Sequence, residues 1–285
     1  MCRFTFYSGQ PITLGSLVTE PAHSLIHQSF ESREREEPLN GDGFGIAWYT
    51  PEVSNEPARF RSITPAWNNQ NLLDLARVVK SSCILAHVRA ATQYIAVTET
   101  NCHPFKHGRW AFMHNGDIGG FPRVRRPMLA HLSDASFGII GGTTDSEHFF
   151  ALVLDELRRE DDPFDVVAMG TAMTRAIQKT CELVTKHAPG EYIYLNAVFS
   201  DGERSVAVRF TTDEPQHASS LYLNEGHRYV CEDGVCWMVE PEDEAGTVIV
   251  SSEPLSSEAS WRSIAPNSMV LIEHGRVHSK HELLV

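Results

Sequence analysis

The sequence is short of basic residues and of long apolar runs. Its 285 residues include 24 Lys and Arg against 37 Asp and Glu, a formal net charge of −13. A nucleic-acid backbone is bound by clustered cations, so this balance argues against a nucleic-acid partner. No stretch approaches the roughly 18 consecutive apolar residues of a membrane span. The first residues, interrupted by Pro11, Glu20 and Pro21, do not resemble a secretory signal. We therefore expect a cytoplasmic protein with no nucleic-acid or membrane partner.

Signatures of metal and nucleotide binding are also missing. There is no His-Glu-x-x-His motif, and Cys231 and Cys236, the only close pair among six cysteines, have no second Cys/His pair at zinc spacing. The glycines of GDGFG at 41–45 precede a predicted strand and fit neither a P-loop nor a dinucleotide fingerprint. We predict no metal, no cofactor and, in the cytosol, six reduced thiols, with Cys231 and Cys236 structural.

What is present is a succession of predicted strands, then helices, then strands. The predicted strands lie at or within 2–8, 40–49, 83–90, 109–116, 191–202, 204–212, 235–240, 247–252 and 269–278. The predicted helices lie at 71–79, 144–160 and 163–187. No linker divides the chain. We predict one α+β domain over residues 1–285, with sheet layers covered by outer helices.

The first chemically notable residue is Cys2. After removal of Met1, which the small side chain of Cys2 favours, one residue would carry both a thiol and a free α-amine. The amine titrates at about 7.7–8.0 and the thiol at about 8.5, so the amine can accept the thiol proton near neutral pH. A cysteine at this position is otherwise an accident of sequence, and taken alone that is the simpler interpretation.

Three other stretches carry useful residues with ordinary alternatives. Asn115-Gly116 is typical of a tight turn, but an Asn amide and a Gly N–H can also form an oxyanion hole. Arg89, in a buried-looking strand, needs an anion: either a structural carboxylate or a bidentate substrate carboxylate. Asp145 is either a helix-terminal residue stabilised by the helix dipole or the partner of a substrate ammonium group.

Together these residues resemble the class II glutamine amidotransferases. Met1-Cys2, Arg89 with Thr92, Asn115-Gly116 and Asp145 occur in that family's order. The matching stretches MCRF, NGDGFG, AHVRAAT, FMHNG, TDSE, LNAVFSDG and VIVSSEPL extend from residue 1 to about residue 255. The chain looks closer still to the amidotransferase-like subunit of the fungal cytosolic glutathione-degrading complex. The resemblance implies an N-terminal nucleophile hydrolase with an αββα sandwich fold.

The resemblance also implies a role for each matching residue. Cys2 corresponds to the nucleophile, and Asn115 with Gly116 corresponds to the oxyanion hole. Two further residues correspond to those that hold the γ-glutamyl group, Arg89 its α-carboxylate and Asp145 its α-amino group. Thr92 corresponds to a threonine that lines the same pocket. The arginine is followed by Ala90, and the motif ends Thr92-Gln93, unlike the Trp and Thr-His of the glucosamine-forming members.

Three functions follow as alternatives. The first is hydrolysis of a γ-glutamyl amide such as glutathione, releasing glutamate through a cysteine thioester, with a metallopeptidase-like partner subunit implied by the resemblance. The second is a glutaminase that supplies ammonia to a separate synthetase. The third is a non-catalytic scaffold that keeps the fold. The presence of Cys2, Arg89, Asn115 and Asp145 argues against the third.

Overall fold

The computed structural model describes residues 2–34, 39–90, 96–232, 234–239 and 246–284. Its helices are α1 (Gly15–Val18), α2 (Leu25–Phe30), α3 (Gln70–Val78), α4 (Phe121–Leu129), α5 (Asp134–Phe137), α6 (Asp145–Leu157) and α7 (Val166–His187). Its strands are β1 (Arg3–Thr13), β2 (Phe44–Thr50), β3 (Ser54–Ser62), β4 (Lys80–Val88), β5 (Phe105–His107), β6 (Trp110–Ile118), β7 (Ile193–Ser200), β8 (Arg204–Thr211), β9 (Tyr222–Gly226), β10 (Arg228–Glu232), β11 (Val235–Val239), β12 (Thr247–Ser251), β13 (Arg262–Ser263), β14 (Ser268–Glu273) and β15 (Arg276–Glu282).

Two large sheets form the centre of the molecule. The first has the strand order β13-β9-β12-β1-β4-β2-β3, and the second has the order β15-β14-β8-β7-β6-β5. Neighbouring strands in both sheets are antiparallel. The β10–β11 hairpin stands apart from both. The strand β1 lies inside the first sheet, between β12 and β4, so the start of the described chain is held on both sides.

Three apolar clusters divide the molecule into layers. The cluster between the sheets contains Phe4, Phe6, Leu85 and Met113 among its members. A second lies between the second sheet and helices α4, α6 and α7. The third lies between the first sheet and helices α1 to α3, with the β10–β11 hairpin. This is the predicted αββα sandwich. That one domain spans residues 1–285 stays a prediction.

The longest elements agree with the sequence patterns. The strands predicted at 2–8 and 83–90 and the helix predicted at 71–79 are β1, β4 and α3. The sequence offers Thr144 or Ser146 as the N-terminal cap of the helix predicted at 144–160; in the structure α6 begins after Thr144, whose side chain accepts a hydrogen bond from the backbone N–H of Glu147. The helix predicted from Pro163 begins at Val166, because Asp165 caps its N-terminus.

Two predictions were wrong. The strand predicted to end in a turn at Asn115-Gly116 instead continues to Ile118, with Asn115 paired to Asn196 on β7. The six cysteines are not all reduced, because Cys231 and Cys236 form a disulfide. They face each other in the β10–β11 hairpin with Cα atoms 4.1 Å apart, so strand register alone brings the two thiols together.

Candidate active site

The side chain of Cys2 is placed by the alternation of strand β1. Phe4 and Phe6 belong to the cluster between the sheets, so Cys2, two residues earlier, points toward the same space. Its Sγ lies 3.5 Å from the carbonyl oxygen of Ala90, the residue after Arg89. Cys2 is half-buried and is not part of a disulfide. The predicted nucleophile therefore lies at the open end of the inter-sheet space, next to a predicted substrate-binding residue.

Asn115 and Gly116 lie on β6, a strand of the second sheet. Asn115 follows Ala111 and Met113 on the face of β6 that looks toward the first sheet. It is 1% exposed, and neither its Nδ2 nor its Oδ1 has a hydrogen-bond partner among the described residues. A buried amide is normally paired, and leaving it unpaired is costly. Both atoms therefore stay available for a ligand in the inter-sheet space.

Gly116 is required by the close approach of the next strand. A Cβ at this position would lie 1.8 Å from the carbonyl oxygen of Tyr194 and 2.6 Å from Nε2 of His114. Any larger residue would push β6 away from β7. The Asn-Gly dipeptide is therefore explained by packing against a neighbouring strand, and the turn interpretation of the sequence is wrong here.

Arg89 is buried and only partly satisfied. It is 4% exposed, and its Nη2 lies 3.5 Å from the carbonyl oxygen of Ala96. Its Nη1 has no hydrogen-bond partner in the described part of the chain. Its backbone is fixed by bonds to the loop before β2, with Arg89 N donating to Gly43 O at 2.8 Å and Asp42 N donating to Arg89 O at 3.1 Å. A rigidly held guanidinium with an unused donor is suited to a carboxylate ligand.

Asp145 lies at the first turn of α6, where it contacts the end of β6. Its Oδ2 accepts the backbone N–H of Ile118 at 2.9 Å, and its Oδ1 accepts the N–H of Ser146 at 2.8 Å. The carboxylate is 7% exposed. Both interpretations of Asp145 remain compatible with this position, because the helix terminus stabilises a carboxylate that also lies beside β6, the strand of Asn115 and Gly116.

A residue that the sequence analysis did not select joins the two predicted substrate-binding residues. Asn101, which is buried, donates from Nδ2 to Ala96 O at 2.9 Å and to Thr143 Oγ1 at 3.1 Å. Ala96 O is also the acceptor for Arg89, and Thr143 lies two residues before Asp145. Asn101 thus ties the Arg89 side of the site to the Asp145 side. Its surroundings in the sequence were predicted as a loop, and the signal that could have found it is the stretch ETNCHPF at 99–105, which also matches the resembled family.

Asp117 was also missed. By strand alternation it shares the face of Asn115. Loss of hydration and the neighbouring carboxylates of Asp145 and Glu191 raise the pKa of Asp117 to about 6. The position therefore adds a second acid to the Asp145 end of the site, where a substrate ammonium group would be attracted.

Buried, neutral histidines lie beneath the site. The rings of His87 and His103 are 4.2 Å apart, and His87 Nε2 donates to the carbonyl oxygen of His114 at 3.1 Å. Burial lowers the pKa of His87 to about 3 in spite of that hydrogen bond. Burial also holds the pKa of His103 well below its usual range. These histidines are uncharged at neutral pH, so the cations of the site are supplied by arginine.

The sixth predicted site residue, Thr92, lies outside the described residues. Within residues 2–34, 39–90, 96–232, 234–239 and 246–284, no group of three or more His, Cys, Asp or Glu is arranged to hold a metal ion. Across the same described stretches, no helix is both long and apolar enough to cross a membrane.

Known proteins resemble this chain over most or part of its length. The family of class-II glutamine amidotransferases matches residues 16–283. The probable glutamine amidotransferase DUG3 of Saccharomyces cerevisiae is 43% identical over 293 residues, covering 96% of this chain and 82% of its own. The gamma-glutamyl-hercynylcysteine sulfoxide hydrolase of Mycobacterium tuberculosis is 34% identical over 119 residues, covering 41% of this chain and 50% of its own.

Solved structures share the fold. A glutamine aminotransferase class-II domain protein from Silicibacter pomeroyi has a TM-score of 0.67 at 29% identity, with all of both chains covered. The glutamine phosphoribosylpyrophosphate amidotransferase of B. subtilis has a TM-score of 0.57 at 14% identity, covering 100% of this chain and 49% of its own. The second likeness, at its low identity, concerns the fold alone.

Proposed function

The chain belongs to the class II glutamine amidotransferases, and on that premise we propose that it hydrolyses γ-glutamyl amides with Cys2 as nucleophile. The observation that carries this proposal is the set of unsatisfied polar atoms in the inter-sheet space near Cys2. Asn115 keeps both side-chain atoms free of partners, and Arg89 keeps Nη1 free, within the residues that the structure describes. Such atoms match a ligand that supplies a carboxylate and a developing oxyanion.

The substrate is held by its amino-acid end. Arg89 binds the α-carboxylate through its fork of donors, and Asp145, with Asp117 nearby, attracts the α-ammonium group. Thr92 is assigned to the same γ-glutamyl group on the family resemblance alone. Two opposite charges at a fixed separation recognise the γ-glutamyl group and make no demand on the group beyond the amide. The site therefore holds the amino-acid end of glutathione, glutamine and other γ-glutamyl compounds in the same way, and the group beyond the amide decides their relative rates.

The chemistry proceeds in two steps. The α-amine of Cys2 takes the thiol proton, and the thiolate attacks the γ-carbonyl carbon, forming a C–S bond. The Asn115 amide and the Gly116 N–H stabilise the oxyanion. The ammonium then protonates the leaving nitrogen as the C–N bond breaks, leaving a γ-glutamyl thioester. Water, deprotonated by the same amine, attacks the thioester, so glutamate leaves and the thiol regains its proton.

The similar proteins guide the choice of the leaving group, the cellular compartment and the partner subunit. One of them is named a gamma-glutamyl hydrolase and another a probable glutamine amidotransferase. We place the reaction in the cytoplasm, with glutathione as the first substrate to test. We also propose that a metallopeptidase-like partner subunit removes the product of the hydrolysis. Any metal needed for that second step would then belong to the partner.

The test is glutamate release by the untagged protein lacking Met1, with glutathione and with glutamine in parallel. Cys2→Ala serves as the blank. Release from glutathione well above that from glutamine supports the γ-glutamyl hydrolase. Release from glutamine alone identifies the ammonia-supplying alternative, and release from neither contradicts both enzymatic functions.

A further inference from the structure

We propose that a buried polar cluster on the far side of β1 positions the N-terminal nucleophile, with Glu253 as its central residue. We call Arg3, His23, Ser32 and Glu253 the anchor cluster. The inference rests on the proposed function, since it concerns how Cys2 is held ready to react. Cys2 and Arg3 are adjacent on an extended segment, so their side chains point to opposite faces of the first sheet. The anchor cluster therefore acts from behind the sheet.

Arg3 connects the anchor cluster directly to the nucleophile. It is 2% exposed, and its Nε donates to Glu253 Oε1 at 2.8 Å. Its Nη2 donates to Ser32 Oγ at 3.1 Å, and its Nη1 donates to the carbonyl oxygen of Cys2, also at 3.1 Å. One guanidinium thus holds a buried carboxylate and the backbone of the catalytic residue at the same time.

Glu253 is saturated with donors. Its Oε2 lies 2.7 Å from Nε2 of His23 and accepts the backbone N–H of Arg33 at 2.9 Å. Its Oε1 accepts the Ser32 hydroxyl in addition to Arg3. Burial alone would raise the pKa of Glu253, but these hydrogen bonds and the charge of Arg3 hold that pKa well below its usual range. The cluster is a fixed, charged unit and not a mobile surface pair.

The end of β12 and the two residues that follow it, Ser252 and Glu253, also fix the backbone of β1. Ser252 Oγ accepts the N–H of Phe4 at 3.0 Å, and Ser252 N donates to Phe4 O at 3.0 Å. Thr5 Oγ1 and Ser251 Oγ are 2.9 Å apart. The segment Ser251-Ser252-Glu253 therefore contacts Thr5, Phe4 and Arg3 in turn. These residues are the SSE of the VIVSSEPL stretch, to which the catalytic mechanism gives no role.

An N-terminal nucleophile needs such a contact because only its carbonyl group is bonded to the rest of the chain. After Met1 is removed, Cys2 is joined covalently to Arg3 alone. If the Cys2 carbonyl group could rotate freely, the thiol and the amine would both change position. Small misplacements of reacting groups reduce rates steeply. The bond from Arg3 removes this freedom without entering the inter-sheet space, so the substrate meets no part of the anchor cluster.

The test compares Glu253→Gln with a matched control, Asp201→Asn. Asp201 is equally buried and is paired with Arg204 at 3.2 Å and Arg109 at 3.5 Å. It follows Ser200, whose hydroxyl contacts Cys83, and Cys83 pairs with Ser8 of β1. Because strands rise about 3.3 Å per residue, this control lies roughly 20 Å from Cys2. Both variants are measured for kcat and KM on glutathione and for their denaturation midpoints.

The expected result for Glu253→Gln is a kcat lower by on the order of ten- to a hundred-fold with KM changed less than about three-fold. Removal of the carboxylate also leaves the Arg3 charge uncompensated beside Cys2, which favours thiolate and neutral amine. The acid limb of the kcat profile is therefore expected to move to lower pH by roughly half a unit or more. Asp201→Asn is expected to lower the denaturation midpoint without either change.

The proposal is overturned if Glu253→Gln loses stability as Asp201→Asn does but keeps a wild-type kcat and pH profile. If Glu253→Gln does not fold, Ser32→Ala replaces it, because this change removes only the hydroxyl between Arg3 and Glu253. A kcat for Ser32→Ala within two-fold of wild type, with an unmoved acid limb, then overturns the proposal.

A separate readout distinguishes failure of the anchor proposal from failure of the proposed function. Alkylation of Cys2 by iodoacetamide, followed on the N-terminal peptide by mass spectrometry, requires no turnover. If the wild type releases no glutamate, the proposed function fails. A lower pH midpoint of alkylation in Glu253→Gln than in wild type would still support the anchor, and an identical midpoint would overturn it.

Discussion

Glu253 on one face of the first sheet and Asn115 with Arg89 on the other differ in how their buried polar atoms are paired. In the anchor cluster, the carboxylate of Glu253 is met by Arg3, His23, Ser32 and a backbone N–H. In the inter-sheet space, Asn115 and the Nη1 of Arg89 lack partners among the described residues although both side chains are buried. The two regions are one residue apart along β1, at Arg3 and Cys2.

The paired atoms of Glu253 contribute to the fold, whereas we propose that the unpaired atoms of Asn115 and Arg89 are kept for a ligand. A buried polar group left unpaired costs about 1–3 kcal/mol, so an unsatisfied site lowers stability until its ligand binds. Breaking a buried ion pair costs about 3–5 kcal/mol, because it leaves an uncompensated charge. Changes in the inter-sheet space are therefore expected to affect activity and spare stability, and changes in the anchor cluster are expected to affect both.

The largest effect is expected from blocking the N-terminus. A protein that retains Met1 or carries an N-terminal tag has no free α-amine on Cys2, so turnover is expected to fall to the level of Cys2→Ala. Glutamate release by tagged, cleaved and Cys2→Ala proteins checks this. Full activity of the tagged protein would rule out the α-amine as base. The role of the Cys2 thiol would then be decided by the activity of Cys2→Ala.

The next effect is expected at Asn115. Asn115→Ala is expected to lower kcat by on the order of 10²–10³, as for loss of one oxyanion donor. Its free energy of unfolding is expected to equal or exceed that of wild type, because the amide has no partner to lose. Steady-state kinetics and urea denaturation of the same sample test both statements. An unchanged kcat, or a large loss of stability, would contradict the assignment.

A smaller effect is expected from Arg89→Lys. Lysine keeps the charge but cannot make the fork contact with a carboxylate, so KM is expected to rise about ten- to a hundred-fold with a smaller change in kcat. The comparison of glutamine with γ-glutamyl-p-nitroanilide isolates the amino-acid end, which both substrates share. The same rise is expected for both, and a rise for only one would place Arg89 at the leaving group.

The last comparison concerns stability in acid, where His87 in the inter-sheet space and Glu253 in the anchor cluster are expected to respond at different pH values. His87 has a folded-state pKa of about 3 and an ordinary value of 6.5, so only the unfolded chain binds its proton between these values. Stability is therefore lost as pH falls from 6.5 toward 3, at about 1.4 kcal/mol per pH unit for each such histidine. Glu253, with a folded-state pKa below its ordinary 4.5, contributes stability that is lost only below about pH 4.5.

Denaturation at several pH values tests this assignment. His87→Gln is expected to flatten the slope between pH 6.5 and 4.5 by about one proton. Glu253→Gln is expected to lower stability at neutral pH and leave that slope unchanged. A slope unaffected by His87→Gln would show that another group binds the proton.

The features predicted from sequence are those encoded by neighbouring residues. The strand at the start of β1 and a cap of α6 at Thr144 or Ser146 depend on patterns within a few positions, and the structure shows the strand and the cap at Thr144. The four-layer fold and the family were accessible through the motif order, from MCRF to TDSE. The roles of the site residues stay predictions until the variants are measured.

What sequence patterns missed depends on distant contacts. Asn115-Gly116 was misread as a turn because the reason for its glycine, the carbonyl oxygen of Tyr194, lies on another strand. The anchor cluster joins Arg3 to a residue 250 positions away, which no local pattern shows. The Cys231–Cys236 disulfide did have a local signal, since Asp233-Gly234 between them is a strong hairpin dipeptide.

The pairing of Arg3 with Glu253 also sets the order in which the protein can become active during its synthesis. The ribosome makes the nucleophile first and its anchor 250 residues later. At about 5–20 residues per second, this delay is roughly 10–50 s. Both edges of the central strand β1 are likewise covered only after β12 has been synthesised. A nascent or truncated chain that lacks residue 253 therefore carries Cys2 without the anchor cluster.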